Sequence, residues 1–93
     1  MSQNAVALTG RVTQLGRKRV TAGGIQLHEW LLHHESLLSL EGGKLAAACA
    51  IPVISFTEPP SGDKPILVHG MLIQRRGQGF SLCASHVTPW ENF

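Results

Sequence analysis

The sequence predicts an all-β domain, a small five-stranded barrel, on three observations. Apolar residues recur with a period of two in several short segments, the pattern of a strand with one buried face. Clusters of glycine, proline and small polar residues separate those segments at short intervals. Two glycines, Gly10 and Gly70, fall midway along strand-like segments, where a small sheet has to coil sharply to close on itself. Five strands with turns at this spacing suit a barrel better than a sandwich, which needs about seven.

The first strand is expected over Ala5–Thr13, where Val6, Leu8, Gly10 and Val12 alternate. A basic, glycine-closed loop follows, Arg17-Lys18-Arg19-Val20-Thr21-Ala22-Gly23-Gly24-Ile25. The second strand is expected over Ile25–His34, apolar and carrying Trp30. Ser36–Gly43 reads as a connection with room for a helical turn, in which Leu37, Leu38 and Leu40 are partly buried. The third strand is placed over Leu45–Ser55. Its run of Ala46, Ala47, Ala48, Cys49 and Ala50 favours helix by propensity alone, but Gly42-Gly43 before it and Ile51-Pro52-Val53-Ile54 after it argue for strand. Pro52 cannot donate to a ladder and belongs at an edge or a bulge. Thr57–Asp63 is a loop by composition. A fourth strand over Pro65–Arg75 puts Ile66, Val68, Gly70 and Leu72 on one face, and Gly77-Gln78-Gly79 turns it into a fifth over Phe80–Thr88.

Ninety-three residues leave room for one core, so residues 1–93 form a single domain. Only 15% of residues are charged, which suggests that some apolar surface is covered by a second copy or a partner. The net charge of +2 is small, but it is segregated. Residues 1–28 hold Arg11, Arg17, Lys18 and Arg19 and no acid, a balance of +4. Residues 29–63 set Glu29, Glu35, Glu41, Glu58 and Asp63 against Lys44, a balance of −4. Residues 64–93 set Lys64, Arg75 and Arg76 against Glu91 and return to +2. A fold that joins the first and last thirds therefore concentrates positive charge on one side. The N-terminus lacks the long apolar stretch of a secretory signal, and the longest uncharged run, Leu45–Thr57, is too short to cross a bilayer. A soluble, cytoplasmic protein is expected. Cys49 and Cys83, each in an apolar run, read as reduced core thiols.

Cations on a loop between strands are a common means of meeting a phosphate backbone, so Arg17, Lys18 and Arg19, joined by Arg75 and Arg76, make nucleic acid the leading ligand class. The bland alternative is a solvated hairpin that keeps the chain soluble. Among the aromatics, Trp30 shares a strand face with His28 and Leu32 and is expected in the core, whereas Phe80, next to Gly79, is a candidate for stacking on a base. Trp90 and Phe93, near the C-terminus, are expected to pack on the barrel end or on a partner. The five histidines, His28, His33, His34, His69 and His86, fall in no metal-ligand spacing, and His33 and His34 point to opposite faces of a strand. No metal or other cofactor is expected. Nor is an enzyme: there is no phosphate-binding glycine loop ahead of a helix, no nucleophile elbow and no paired carboxylates on an obvious common face.

This barrel plan is the OB architecture, whose second and third strands and adjoining loops commonly bind oligonucleotides. Leu8-x-Gly10, Gly24-Ile25, Trp30-x-Leu32-x-His34-x-Ser36 and Val68-x-Gly70-x-Leu72 resemble the single-stranded-DNA-binding protein superfamily. The chain is most similar there to the primosomal replication protein N (PriB) family. That likeness rests on Lys18-Arg19 ahead of Gly24-Ile25, on His34-Glu35-Ser36, and on Cys49-Ala50-Ile51-Pro52-Val53, and it spans residues 5 to 88. The resemblance implies a non-catalytic homodimer of bacterial replication restart that binds single-stranded DNA and contacts the PriA helicase and the loader protein DnaT. By position it makes Lys18, Arg19, Arg75 and Arg76 the DNA-facing cations, and it suggests a strand-end hydrogen-bonding role for His34. Some family members carry aromatics where this chain has Gly43 and Ala48. An aromatic platform is worth about 1–3 kcal/mol per stacked base, so weak, salt-sensitive binding is expected. The alternative is a protein-interaction module on the same fold with little or no DNA binding.

Overall fold

The computed structural model describes residues 2–77 and 79–90. Five strands, β1 (Val6–Val20), β2 (Gln26–Leu40), β3 (Gly43–Ser55), β4 (Ile66–Arg75) and β5 (Gly79–Pro89), close into one barrel in the order β1-β2-β3-β5-β4. Closure depends on β1 serving two partners. Val6–Gly10 pairs with Gly70–Ile66 of β4, and Arg11–Val20 pairs with His33–Gln26 of β2. Gly10 sits at the change of partner, where a Cβ would run into the His33 carbonyl; one at Gly70, beside the irregularity in the β4–β5 ladder, would run into the Cys83 carbonyl. These are the two mid-strand glycines that marked a closed sheet in the sequence. The seam on the other side is a short parallel ladder, Val53 with Leu82 and Ile54 with Cys83. Pro52 lies just before that seam, where β3 has no pairing partner on its β5 side, so its missing N–H breaks no ladder there.

The alternation along each strand fills the interior. Trp30, Leu32, Val53, Ile66, Val68, Leu82 and Ala84 form the core, with Val6, Leu8, Val12, Ile51 and Val87 packed around them. Burial of a leucine- or valine-sized side chain contributes roughly 1.5–3 kcal/mol, so this set is the principal source of stability. Trp30 lies in the core, as its strand face predicted, and its Nε1–H donates to Ser55 Oγ at 2.9 Å.

Three expectations are corrected. Arg17, Lys18 and Arg19 lie on β1 and not in a loop, because the strand continues to Val20 through two irregularities in its ladder with β2. Only Thr21–Ile25 turns, closed by Thr21 N–H to the Ile25 carbonyl (2.8 Å) and Gly24 N–H to the Thr21 carbonyl (2.9 Å), with Gly24 at φ 84°. Ser36–Leu40 holds no helical turn. It extends β2, in register with Gly43–Ala47 of β3, and Leu37, Leu38 and Leu40 are exposed because the paired strands there run past the core. For the same reason Cys49 is exposed; Cys83 is half-buried, and both are free thiols.

Candidate nucleic-acid interface

Side chains on adjacent strand residues point to opposite faces, and this divides the cations of β1. Arg19 stands opposite Leu27 of β2, on the outward face that also carries Glu29. Lys18 stands opposite His28, on the inward face. Arg19 therefore reaches the outside of the β2–β3 surface. Lys18 and Arg17 line a separate cavity of about 330 Å³ with Leu15, His28, Glu58 and Pro59. Lys18 Nζ is 3.6 Å from Glu58 Oε1, an exposed pair that contributes little.

Glu29 joins the two hairpins. Its Oε1 accepts Arg19 Nη1–H at 2.7 Å and Arg75 Nη1–H at 2.8 Å, bringing the end of β1 against the end of β4. The Glu29 side chain is only 17% exposed, and burial by itself would raise its pKa. The hydrogen bonds and positive charges of Arg75 and Arg19 outweigh that and hold the carboxyl below its ordinary value. Around this triad lies a groove of about 230 Å³ on the outer face of β2 and β3, lined by Arg19, Val20, Thr21, Leu27, Glu29, Ile54 and Arg75. Its floor, Leu27 and Ile54, is apolar and its rim carries two guanidinium groups.

The other sequence candidates fall around this groove or away from it. Arg76 is exposed in the turn after β4 and forms no ion pair among the described residues. Phe80 is 56% exposed and opposite Gln74, whereas Arg75 is opposite Gly79, so Phe80 projects from the other face of the β4–β5 ladder. Gly43 and Ala48 are exposed on the outer part of β3 and present no ring there. Arg11, the fourth cation of the first third, donates to the Asp63 carbonyl. His34 Nδ1 lies 2.6 Å from the Thr9 carbonyl and Nε2 lies 2.9 Å from Ser36 Oγ, so its ring ties β1 to the end of the barrel part of β2. Trp90 is 39% exposed and its N–H donates to the Pro65 carbonyl at 3.0 Å, while Phe93 lies outside the described residues. Among the described residues no three His, Cys, Asp or Glu side chains gather as metal ligands, and no helix is long and apolar enough to cross a membrane.

Sequence reasoning missed Glu29. A signal was present: it is the first acid in the chain and stands between His28 and Trp30, two residues of the buried face. A carboxylate flanked by two core residues and only 17% exposed needs a partner, and the arginines supply it.

No protein-family model and no curated protein matches the chain. Solved structures do. PriB from Ralstonia solanacearum superposes with a TM-score of 0.83 at 12% identity, covering 97% of this chain and 100% of that one. A Plasmodium falciparum SSB in complex with single-stranded DNA gives a TM-score of 0.73 at 14% identity, covering 98% and 97%. The small single-stranded-DNA-binding protein from Streptomyces coelicolor gives 0.69 at 15%, covering 96% and 94%. At such low identity the likeness is one of backbone, and the backbone agrees over nearly the full length of each chain. The chain is thus an all-β, five-stranded OB-fold barrel of the kind found in PriB and the single-stranded-DNA-binding proteins.

Proposed function

We propose that this protein binds single-stranded DNA across the outer face of β2 and β3. The observation that carries the reading is the groove over Leu27 and Ile54, rimmed by Arg19 from the β1–β2 hairpin and Arg75 from the β4–β5 hairpin. It lies on the strands and beside the loops that OB folds commonly use for oligonucleotides. PriB and an SSB, the latter in a complex with single-stranded DNA, share the backbone and support the same ligand. In this reading Arg19 and Arg75 hold the sugar-phosphate backbone in the groove with Arg76 beside it, Arg17 and Lys18 meet the strand as it passes over the end of β1, and Phe80 stacks on a base beyond the groove. The protein is non-catalytic, cytoplasmic and needs no cofactor. The resemblance to PriB extends the proposal to a homodimeric platform of replication restart that presents DNA to the PriA helicase and DnaT.

The test is fluorescence anisotropy of a labelled oligothymidylate at two salt concentrations. Phosphate contacts on a single strand weaken log affinity by about 0.7 per contact for each decade of salt. Salt-weakened binding that is lost in Lys18→Glu/Arg19→Glu is the expected result. Absence of binding at low salt would overturn it.

One observation favours a second reading, a protein-interaction module. Leu37, Leu38, Leu40 and Leu45 are between 52% and 61% exposed on the projecting β2–β3 hairpin, a concentration of apolar surface suited to a protein partner. In that case the cations meet an acidic partner, and the native chain leaves oligonucleotide anisotropy at background even at low salt, with no further change on charge reversal at Lys18 and Arg19.

A further inference from the structure

The DNA-binding reading leaves one contact unexplained: the two arginines on the rim of the groove already hold an anion. Glu29 Oε1 receives one N–H from Arg19 and one from Arg75, each through Nη1 alone. Neither pair is the two-pronged contact that a guanidinium makes when it is fully matched to a carboxylate. Among the described residues the Arg75 Nε is buried without a hydrogen-bond partner, so this guanidinium retains a donor that they leave unused. Arg19 is 56% exposed on its side chain and open to an incoming ligand, whereas Glu29 and Arg75, at 17% and 23%, are set into the surface. A tetrahedral phosphate offers more acceptors than the single oxygen now shared, and a guanidinium can meet a phosphate with two donors.

We propose that the position of Glu29 Oε1 between Arg19 and Arg75 is a backbone-phosphate subsite, and that Glu29 occupies it as an internal competitor until DNA displaces it. The proposal rests on the DNA-binding reading. Glu29 then acts on affinity and not on fold alone. In the free protein its carboxylate neutralises part of the positive rim, so polyanions reach the groove only by exchanging one charge-assisted contact for another. Weak binding follows from this exchange as well as from the missing aromatics at Gly43 and Ala48. Arg17 and Arg76, which pair with no acid among the described residues, supply the initial attraction.

The experiment compares the full chain with Glu29→Gln, using labelled oligothymidylate, over a salt series. Glutamine keeps the shape and removes the charge. The expected result is affinity higher by about tenfold at low salt, the worth of one charge-assisted hydrogen bond no longer exchanged for another. The salt dependence should also steepen by about 0.7 to 1.4 in slope, because the charge of a displaced carboxylate no longer offsets the one or two phosphates held at the subsite. Arg19→Ala in both backgrounds supplies the coupling: it should cost little in the native chain and much more in Glu29→Gln. If Glu29→Gln unfolds, the native chain still answers, because displacement of the carboxylate shifts the Glu29 Cδ resonance in carbon NMR when oligothymidylate is added. Binding by the native chain with unchanged affinity and slope in folded Glu29→Gln, or with an unmoved Glu29 Cδ resonance, overturns the subsite and leaves the DNA reading intact. Failure of both proteins to bind at low salt overturns both.

Discussion

The β2–β3 ladder consists of two regions built alike and situated differently. In the barrel half, His28–His33 pairs with Ser55–Ala50, and His28, Trp30, Leu32, Val53, Ile54 and Ser55 are buried. In the projecting half, Glu35–Leu40 pairs with Ala48–Gly43 in unbroken register, and every one of those residues is exposed. Hydrogen-bonded register thus propagates well beyond the core, since each new pair needs only its neighbour. Burial needs a second layer, and β1, β4 and β5 provide one only around the barrel. A two-stranded ribbon alone has no interior, however apolar its sequence.

That difference sets the scale of the mutational effects. Leu32→Ala removes a fully buried side chain and should cost about 2–5 kcal/mol, read from the urea midpoint. Leu38→Ala, six residues along the same strand and 54% exposed, should change stability by no more than about 0.5 kcal/mol. Similar losses at both sites would mean that the projecting hairpin is buried in solution, and the comparison would fail.

A smaller effect is expected from Trp30→Phe, which keeps the apolar body in the core but loses the bond to Ser55 Oγ. About 1–2 kcal/mol should be lost in the same denaturation, since Ser55 keeps its own donation to the Thr57 carbonyl at 2.7 Å. The smallest effect belongs to the barrel's outer face and sharpens the contrast between inside and outside. Glu29 in the folded protein has a pKa below its ordinary 4.5, so the unfolded chain takes up the proton first as pH falls. Its contribution to stability is complete above 4.5 and is lost as pH drops through the folded value. Urea midpoints measured from pH 7 to pH 3 should decline at the acid end, and Glu29→Gln should flatten the part of the decline due to this group. An identical acid profile in Glu29→Gln would place the acid sensitivity elsewhere.

Much of the architecture was legible before any coordinates. The period of two at Val6, Leu8 and Val12, the face shared by His28, Trp30 and Leu32, and the glycines at 10 and 70 all read correctly, because each reflects a local requirement: alternation for burial, or no Cβ where strands cross closely. Strand ends read less well. Arg17-Lys18-Arg19 has the composition of a loop and Ser36–Leu40 that of a turn, yet both are strand because a pairing partner continues alongside them. A partner distant in sequence leaves no local mark. The cysteines misled for a related reason: an apolar neighbourhood in sequence did not become an apolar neighbourhood in space at Cys49.

The candidate site divides in the same way. Sequence alone determined the sign and the supply of charge, residues 1–28 with four cations and no acid and a last third with two adjacent arginines, since composition needs no fold to be counted. Only the tertiary structure decided which of those cations meet. Strand alternation put Arg19 on the face of Glu29 and Lys18 on the face of His28, and barrel closure carried Arg75 across 46 residues of chain to the same carboxylate as Arg19. Charge is a property of residues, but a shared oxygen between two arginines is a property of the path that brings distant strands together.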